Sequence, residues 1–221
     1  MALPGQREDD PIRPPWPLHR RLAKRAFDVA VSSVGLVVVG APLLLAAAAV
    51  RIDSTGPALF RQRRVGRGGR VFRIWKLRTM VAGAEAHGPS LTGADDARVT
   101  PLGRLLRRSK IDELPQLVNV LVGDMSLVGP RPEVPRYVAR FPDEFRPVLA
   151  VRPGITDPAS IEFCDEAAAL ARFPDAERAY AEVLLPRKLD LSRRYLESQT
   201  FFGDLSLLLR TLNVIARPPS T

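Results

Sequence analysis

Histidine and cysteine are all but missing from this 221-residue chain, which carries His19, His87 and a lone Cys164. One cysteine excludes an intramolecular disulfide and a cysteine-rich metal site, and it fits a reducing compartment. Two histidines in Pro- or Gly-rich surroundings argue against a His-based zinc centre or a Ser-His-Asp triad. Catalysis, if present, has to run on carboxylates, Lys and Arg. Aromatic residues are only 6% and no nucleic-acid-binding motif occurs, so nucleic acid is not the expected partner. Acidic residues are also in the minority, 24 against 33 Lys and Arg, for a net charge of +9. That balance calls for an anionic partner, and charge alone does not choose between nucleic acid, phospholipid and a phosphorylated small molecule.

What is present is segregated along the chain. The length suits one domain with an appendage. Met1 to Pro17 is rich in Pro and charge with no apolar period; residues 1–19 are expected to be a disordered lead-in, and 217–221 a tail. Val29 to Val50 then carries no charge, between Asp28 and Arg51, and about 20 apolar residues cross a bilayer core. A cleaved signal is excluded by the length of the run, and a soluble core helix is hard to cover in so small a chain. Pro42, behind Gly40, should break or kink the helix. Basic residues flank both ends: Lys24 and Arg25 before, Arg51, Arg61, Arg63 and Arg64 after. A single span would put one cluster outside, against the positive-inside tendency. The reading is a re-entrant membrane helix over 20–52, kinked at Pro42, with a spanning helix as the alternative.

The remainder, 53–216, reads as one cytosolic or interfacial catalytic domain. Alternation in Pro57–Phe60 and Val71–Leu77 about the glycine-rich turn Val65–Arg70 predicts a small β-hairpin. Gly83 to Thr100 reads as a loop. Leu102 to Arg108 has the spacing of a basic amphipathic helix, equally a solvated face or a helix lying in the membrane interface. Helical spacing recurs over Leu114–Leu121 and most of Ala176–Ala216. The fold class is mainly α with a small β-hairpin.

Asp112 and Glu113 are adjacent, so on a helix they point about 100° apart and cannot face each other across a substrate. They can divide labour, one attacking and the other holding a divalent ion together with substrate phosphates. A lone acidic pair more often complements a helix dipole. This one follows Arg104, Arg107, Arg108 and Lys110 and precedes Gly129-Pro130-Arg131-Pro132. An Arg between two prolines sits on stiff backbone and suits a phosphate or a pyrimidine edge, although alone it is equally a rigid turn. Lys76, Arg78 and Thr79 add donors for an anionic ligand.

With these motifs in place the chain resembles the bacterial sugar transferases, the monotopic polyprenyl-phosphate phosphoglycosyl transferases. The resemblance runs from about Arg20 to Thr211 and is carried by Lys24-Arg-Ala-Phe-Asp28, Lys76-Leu-Arg-Thr-Met80, Thr100-Pro-Leu-Gly-Arg104, Asp112-Glu-Leu-Pro-Gln-Leu117, Gly123-Asp-Met-Ser-Leu-Val-Gly-Pro-Arg-Pro132 and Pro153-Gly-Ile-Thr156. It implies a catalytic domain on the cytoplasmic face of the bacterial inner membrane, with Mg²⁺ as cofactor. It further implies transfer of a sugar 1-phosphate from a nucleotide sugar, a UDP sugar, to polyprenyl (undecaprenyl) phosphate, with UMP released. By the same resemblance Asp112 is the nucleophile, Glu113 the Mg²⁺ ligand, and Arg131 a nucleotide contact, with Lys76, Arg78, Arg107, Pro130 and Pro132 in the substrate site.

Two departures stand out. Ala41-Pro42 replaces a Ser-Pro kink, and Cys164 stands where relatives often place an Arg. The chain resembles a small, core-domain-only branch. The rival reading is a non-enzymatic basic membrane-surface scaffold, which explains the charge and the apolar run but not Asp112-Glu113 beside Gly-Pro-Arg-Pro. The sugar, the pathway and any oligomer are left open.

Overall fold

The computed structural model describes residues 16–84, 91, 93 and 96–216, and it begins with a helix of 36 residues, α1 (Leu18–Asp53). At about 1.5 Å per residue such a helix is about 54 Å long. Pro42 lies inside it, so the segment is one helix and not two joined by a turn. One stripe faces the rest of the protein on both sides of the proline: Asp28 and Ser32 are buried, and Leu43, Ala46, Ala47 and Val50 pack with Leu77 and Leu106. The opposite face is bare. Only 6% of the most apolar 18-residue window is buried, which is not how the core helix of a soluble protein sits. Among the described residues this is the one helix long and apolar enough to cross a membrane.

Residues 1–15 and 217–221, most of the expected lead-in and the tail, lie outside the described residues, as do 85–90, 92, 94 and 95 of the expected loop. Trp16 belongs to the packed body instead of the lead-in: its ring meets Tyr195 edge-on at 6.4 Å and its Nε1 donates to the carbonyl of Leu196. The helix starts two residues before the expected boundary at 20.

After α1 comes the expected hairpin, β1 (Leu59–Val65) and β2 (Val71–Leu77), antiparallel with Leu59 opposite Leu77 and Val65 opposite Val71. Two strands leave two open edges, and the outer edge of β2 is closed by one side chain. Asn119 accepts from Trp75 N–H at 3.0 Å and donates to Arg73 O at 2.8 Å. Asn119 sits on α3 (Gln116–Val122), which follows α2 (Pro101–Arg108) and a single 3-10 turn, Ile111–Glu113. A pleated edge is thereby tied to a helix, and the turn before α3 is brought to the strand.

A second sheet, absent from the sequence reading, pairs β3 (Ser126–Val128) in parallel with β4 (Gly154–Thr156). Three residues per strand give too little alternation to detect. Short helices α4 (Pro135–Arg140) and α5 (Pro142–Phe145) connect them, and α6 (Pro158–Glu162), α7 (Glu166–Leu170) and α8 (Ala176–Ala179) follow. A π-turn, Tyr180–Leu184, leads into α9 (Leu185–Ser198), and α10 (Phe201–Ala216) ends the described chain. The run expected over 176–216 is helical except for a break at Gln199 and Thr200. One core forms under β3 from Phe72, Ile74, Val120, Met125, Leu127, Tyr195 and Leu207; a second gathers Tyr137, Phe145, Tyr180 and Leu189. Each fully buried apolar side chain contributes about 1.5–3 kcal/mol.

Gly129, just past β3, meets Gly154, the first residue of β4, in a tight backbone crossing. A Cβ on Gly154 would stand 2.1 Å from Gly129 N, and backbone cannot move aside as a side chain can. Gly154→Ala is expected to destabilise by about 3 kcal/mol or more. Gly40→Ala, with nothing within 4 Å, should leave the thermal midpoint unchanged or slightly raised. Paired thermal unfolding in detergent checks both.

Candidate active site

Local sequence sets the platform. Thr100 accepts from Gly103 N–H at 2.9 Å and Pro101 occupies the first turn, so α2 starts where its cap dictates. Gly103 lies directly on the backbone of Thr79, where a Cβ would approach Thr79 O to 2.0 Å. That contact seats α2 against the exit of β2 and brings Arg107 Nε to Thr79 Oγ1 at 2.8 Å. Lys110 ends the connection in the left-handed region, φ 56°. For a residue with a Cβ this conformation costs about 1–2 kcal/mol, and it turns the chain so that Asp112 points inward.

Glu113 is where three segments meet. Its Oε1 takes Lys76 Nζ from β2 at 2.7 Å and an Arg131 terminal nitrogen at 2.5 Å, while Oε2 takes the other Arg131 terminal nitrogen at 3.2 Å. The arginine thus grips the carboxylate with both arms of its fork. Burial by itself would raise the Glu113 carboxyl, but Arg131 and Lys76 outweigh it and hold the group well below the usual carboxylate range. In return Glu113 raises the Arg131 guanidinium. Burial lowers Lys76, with Glu113 opposing that shift.

Asp112 has the opposite environment. It is buried, and its Oδ1 has no hydrogen-bond partner among the described residues. Burial pushes its carboxyl up to about 6, helped by neighbouring Glu113 and opposed by Lys76, Lys110 and Arg107. Two adjacent acids are therefore driven apart, one firmly ionised and the other near the top of the carboxylate range. An unpaired lone pair on a buried carboxylate amid cations is poised to take an electrophile or a hard cation.

The chain provides Arg131 with a rigid mount. Pro130 and Pro132 are buried on either side, and Asp157 accepts from Arg131 N–H at 3.3 Å while capping α6 through Ser160 N at 2.7 Å. Glu133, next along, accepts from Arg64 and, over a very short distance, from Tyr180 Oη. Sequence reading missed Asp157, Glu133 and the strand-tying role of Asn119. For Asp157 a signal existed, because Asp before Pro is the start of a capped helix; the rest are single polar residues whose partners lie tens of positions away.

Most of the expected site residues converge: Asp112, Glu113, Lys76, Arg107 and Arg131, with Pro130 and Pro132 as the frame. The structure directs Arg78 elsewhere. Its guanidinium donates to the carbonyls of Ser54 at 2.6 Å, Thr55 at 2.7 Å and Val50 at 3.3 Å, at and just past the end of α1, where helix carbonyls run out of intrahelical donors. Lys110 Nζ reaches the Cys164 carbonyl at 3.5 Å, so Cys164 lies beside the turn that carries Asp112.

Asp112 and Glu113 form a donor set compatible with Mg²⁺, which commonly takes one or two carboxylates plus phosphate oxygens and keeps waters. Lys76 and Arg131 keep Glu113 in the ionised form that a hard cation needs, and such a cation would share that carboxylate with them; Asp112 Oδ1, buried, has no hydrogen-bond partner among the described residues. Among the described residues no group of three or more His, Cys, Asp or Glu forms a cage, so such an ion would depend on oxygens from a ligand.

The family model described as bacterial sugar transferase matches residues 19–218. A Caulobacter vibrioides protein named UDP-glucose:undecaprenyl-phosphate glucose-1-phosphate transferase is 40% identical over 212 residues, 91% of this chain and 73% of that protein. An Aeromonas hydrophila UDP-N-acetylgalactosamine-undecaprenyl-phosphate N-acetylgalactosaminephosphotransferase is 41% identical over 141 residues, 62% of this chain and 33% of its own length. Uncharacterized sugar transferase EpsL of Bacillus subtilis is 34% identical over 194 residues, 88% and 87% of the two chains. The chain therefore spans nearly all of one of these relatives and only a third of another.

A carboxyl whose folded pKa is raised favours the protonated fold, so its contribution weakens as pH rises from about 4 through about 6. Asp112→Asn removes that penalty. Its thermal midpoint, measured with a chelator present, should match wild type near pH 4, exceed it increasingly up to pH 6, and hold the gain above that. Arg131→Met leaves Glu113 with one cation and should destabilise by about 3–5 kcal/mol. Arg78→Met should cost about 2–4 kcal/mol and loosen the end of α1, visible as faster proteolysis near Ser54.

Proposed function

The chain belongs to the bacterial sugar transferase family, and we propose that it transfers a sugar 1-phosphate from a UDP sugar to undecaprenyl phosphate. The observation that carries this reading is Asp112: a buried carboxylate with a free oxygen, beside an acid already neutralised by Lys76 and Arg131. Family membership and the names of the relatives support the two substrates.

In this reading an Asp112 oxygen attacks the β-phosphorus of the donor. The bond from that phosphorus to the bridging oxygen breaks, and UMP leaves with the electron pair. The product is a phosphosugar-aspartyl intermediate, whose acyl phosphate stores the group between a water-soluble and a lipid substrate. An oxygen of undecaprenyl phosphate then attacks the same phosphorus. The aspartyl bond breaks, carboxylate is restored, and the polyprenyl-diphosphate sugar is released. Lys76, Arg107 and Arg131 counter the charge of the phosphoryl oxygens, and Pro130 and Pro132 keep Arg131 from following the departing nucleotide. Mg²⁺, held by Glu113 with Asp112 nearby, supplies charge neutralisation to the diphosphate when bound. Glu113 remains ionised throughout, because its pKa is held low. The step would open a glycoconjugate or exopolysaccharide pathway.

The membrane placement follows from α1. Its early part, Phe27 and Asp28, packs on the core under β3, while Leu43, Ala46 and Val50 pack on the end of β2 and on α2. A helix packed on the same body before and after Pro42 does not carry one end across a bilayer, which supports entry and exit on one face. Lys24, Arg25 and Arg51 at those ends favour the cytoplasmic side. Exposed Leu105 between Arg104 and Arg108 on α2, and Phe202, Leu209 and Leu212 on α10, fit helices lying at the interface.

Incubated with undecaprenyl phosphate and Mg²⁺ in detergent, the protein should release UMP from at least one of a panel of UDP sugars. Asp112→Asn should lose about 10³-fold or more of that rate, as removal of a nucleophile does. With acceptor omitted, peptide mass spectrometry should find the phosphosugar on the peptide holding Asp112. Wild-type turnover in Asp112→Asn rules the mechanism out.

A further inference from the structure

On the side of α3 away from the acidic pair, charge is left unbalanced. A shallow cleft opens between the N-terminal part of α1, the turn joining β1 to β2, and the segment entering β4. Trp16, Arg21, Arg25, Asp28, Arg67 and Arg152 line it. Lys24, also at its wall, is paired with Asp204 at 2.6 Å. Asp28 accepts from Leu127 N–H at 3.2 Å and is the one acid in the lining. Arg25 gives both terminal nitrogens to the carbonyls of Val120 and Leu121, at 2.5 and 2.8 Å. Arg152 gives Nε to Gly123 O at 2.8 Å. Its terminal nitrogens, and the guanidinia of Arg21 and Arg67, meet no carboxylate partner among the described residues.

These cations are close. Terminal nitrogens of Arg25 and Arg152 lie 3.5 and 4.0 Å from the point where a Cβ on Gly123 would stand. Burial, then Arg67, Arg25 and Arg21, lower the Arg152 guanidinium, with Asp28 opposing them. Like charges at such range repel, and a fold keeps them where an anion completes the set.

We propose that this cleft binds the phosphodiester headgroup of an anionic membrane lipid. Guanidinium forks match phosphate oxygens two at a time, and the cleft ends at Asp28, one position before the charge-free run of α1 begins. Leu22, Val29 and Val31, exposed on that helix, offer acyl chains an apolar path, and a Trp at headgroup depth is a usual boundary residue. The cleft is not the reacting position. Arg25 and Arg152 hold the C-terminal end of α3, while Asp112 precedes its N-terminal end, and the helix between them is 7 residues or about 10 Å long. A lipid there ties α1, the hairpin turn and the approach to β4 together, and so sets the tilt of the catalytic body on the membrane. The inference rests on the membrane placement of α1 and not on the chemistry assigned to Asp112.

The test uses the purified full chain in neutral detergent, titrated with phosphatidylglycerol, phosphatidylcholine or inorganic phosphate. Thermal unfolding and native mass spectrometry read binding, and UMP release runs in parallel. Phosphatidylglycerol should raise the wild-type midpoint by several degrees and remain bound in the gas phase. The combined variant Arg21→Gln, Arg67→Gln, Arg152→Gln should need at least tenfold more lipid for the same shift. Arg67→Glu, on an exposed turn, should weaken binding similarly with the fold intact. An equal response in these variants, or an equal shift with phosphatidylcholine or inorganic phosphate, overturns the proposal. A lipid shift without UMP release supports this site and counts against the transfer chemistry alone.

Discussion

Glu113 joins β2, the turn ahead of α3 and the segment after β3, because Lys76 and Arg131 reach it from different parts of the chain. A buried carboxylate in such a position is costly unless both partners stay in place, and removing one leaves an uncompensated charge. The surrounding fold keeps them in place. Asn119 fastens α3 to the edge of β2, the Gly129–Gly154 crossing holds the backbone ahead of Arg131, and Asp157 fixes the Arg131 amide. Once Glu113 is neutralised, Asp112 becomes the acid with an open oxygen, and burial raises its pKa while its neighbour's falls. The division of labour between the two acids is thus a property of their partners, not of their side-chain types.

The excess of basic residues has three separate uses in the structure. Arg78 and Arg25 cap the exposed carbonyls at the ends of α1 and α3, where a guanidinium also meets the negative end of the helix dipole. Lys76, Arg107 and Arg131 surround the acidic pair. Arg21, Arg67 and Arg152 form no ion pair among the described residues and gather beside the N-terminal part of α1. Only the second use belongs to catalysis as we read it, so net charge alone overstates how much of the chain faces the substrate.

Much of the fold was legible in one dimension. The charge-free run from Val29 to Val50 marked α1, and alternation around Val65–Arg70 marked the hairpin. Helical spacing marked α2, α3 and the helices from Ala176 onward. Each of these signals is local, because periodicity reports the face a segment buries without reference to its partner. The parallel pair β3–β4 was invisible: three-residue strands joined across 25 intervening residues have no local signature. Arg78 was misjudged for a related reason. An arginine near a lysine and a threonine looks like a phosphate donor, whereas its acceptors are carbonyls of residues 50–55 that fold back beside it.

By itself the sequence determined the character of the site, its acids and bases and the membrane-length helix beside it, because composition and spacing are carried by the chain. Tertiary structure decided which bases meet which acid. It gave Lys76 and Arg131 to Glu113, left Asp112 Oδ1 with no hydrogen-bond partner among the described residues, sent Arg78 to the end of α1, and gathered Arg25 and Arg152 around Gly123. Ion pairing and desolvation act through distance and burial, and those are set only when segments remote in sequence are packed together.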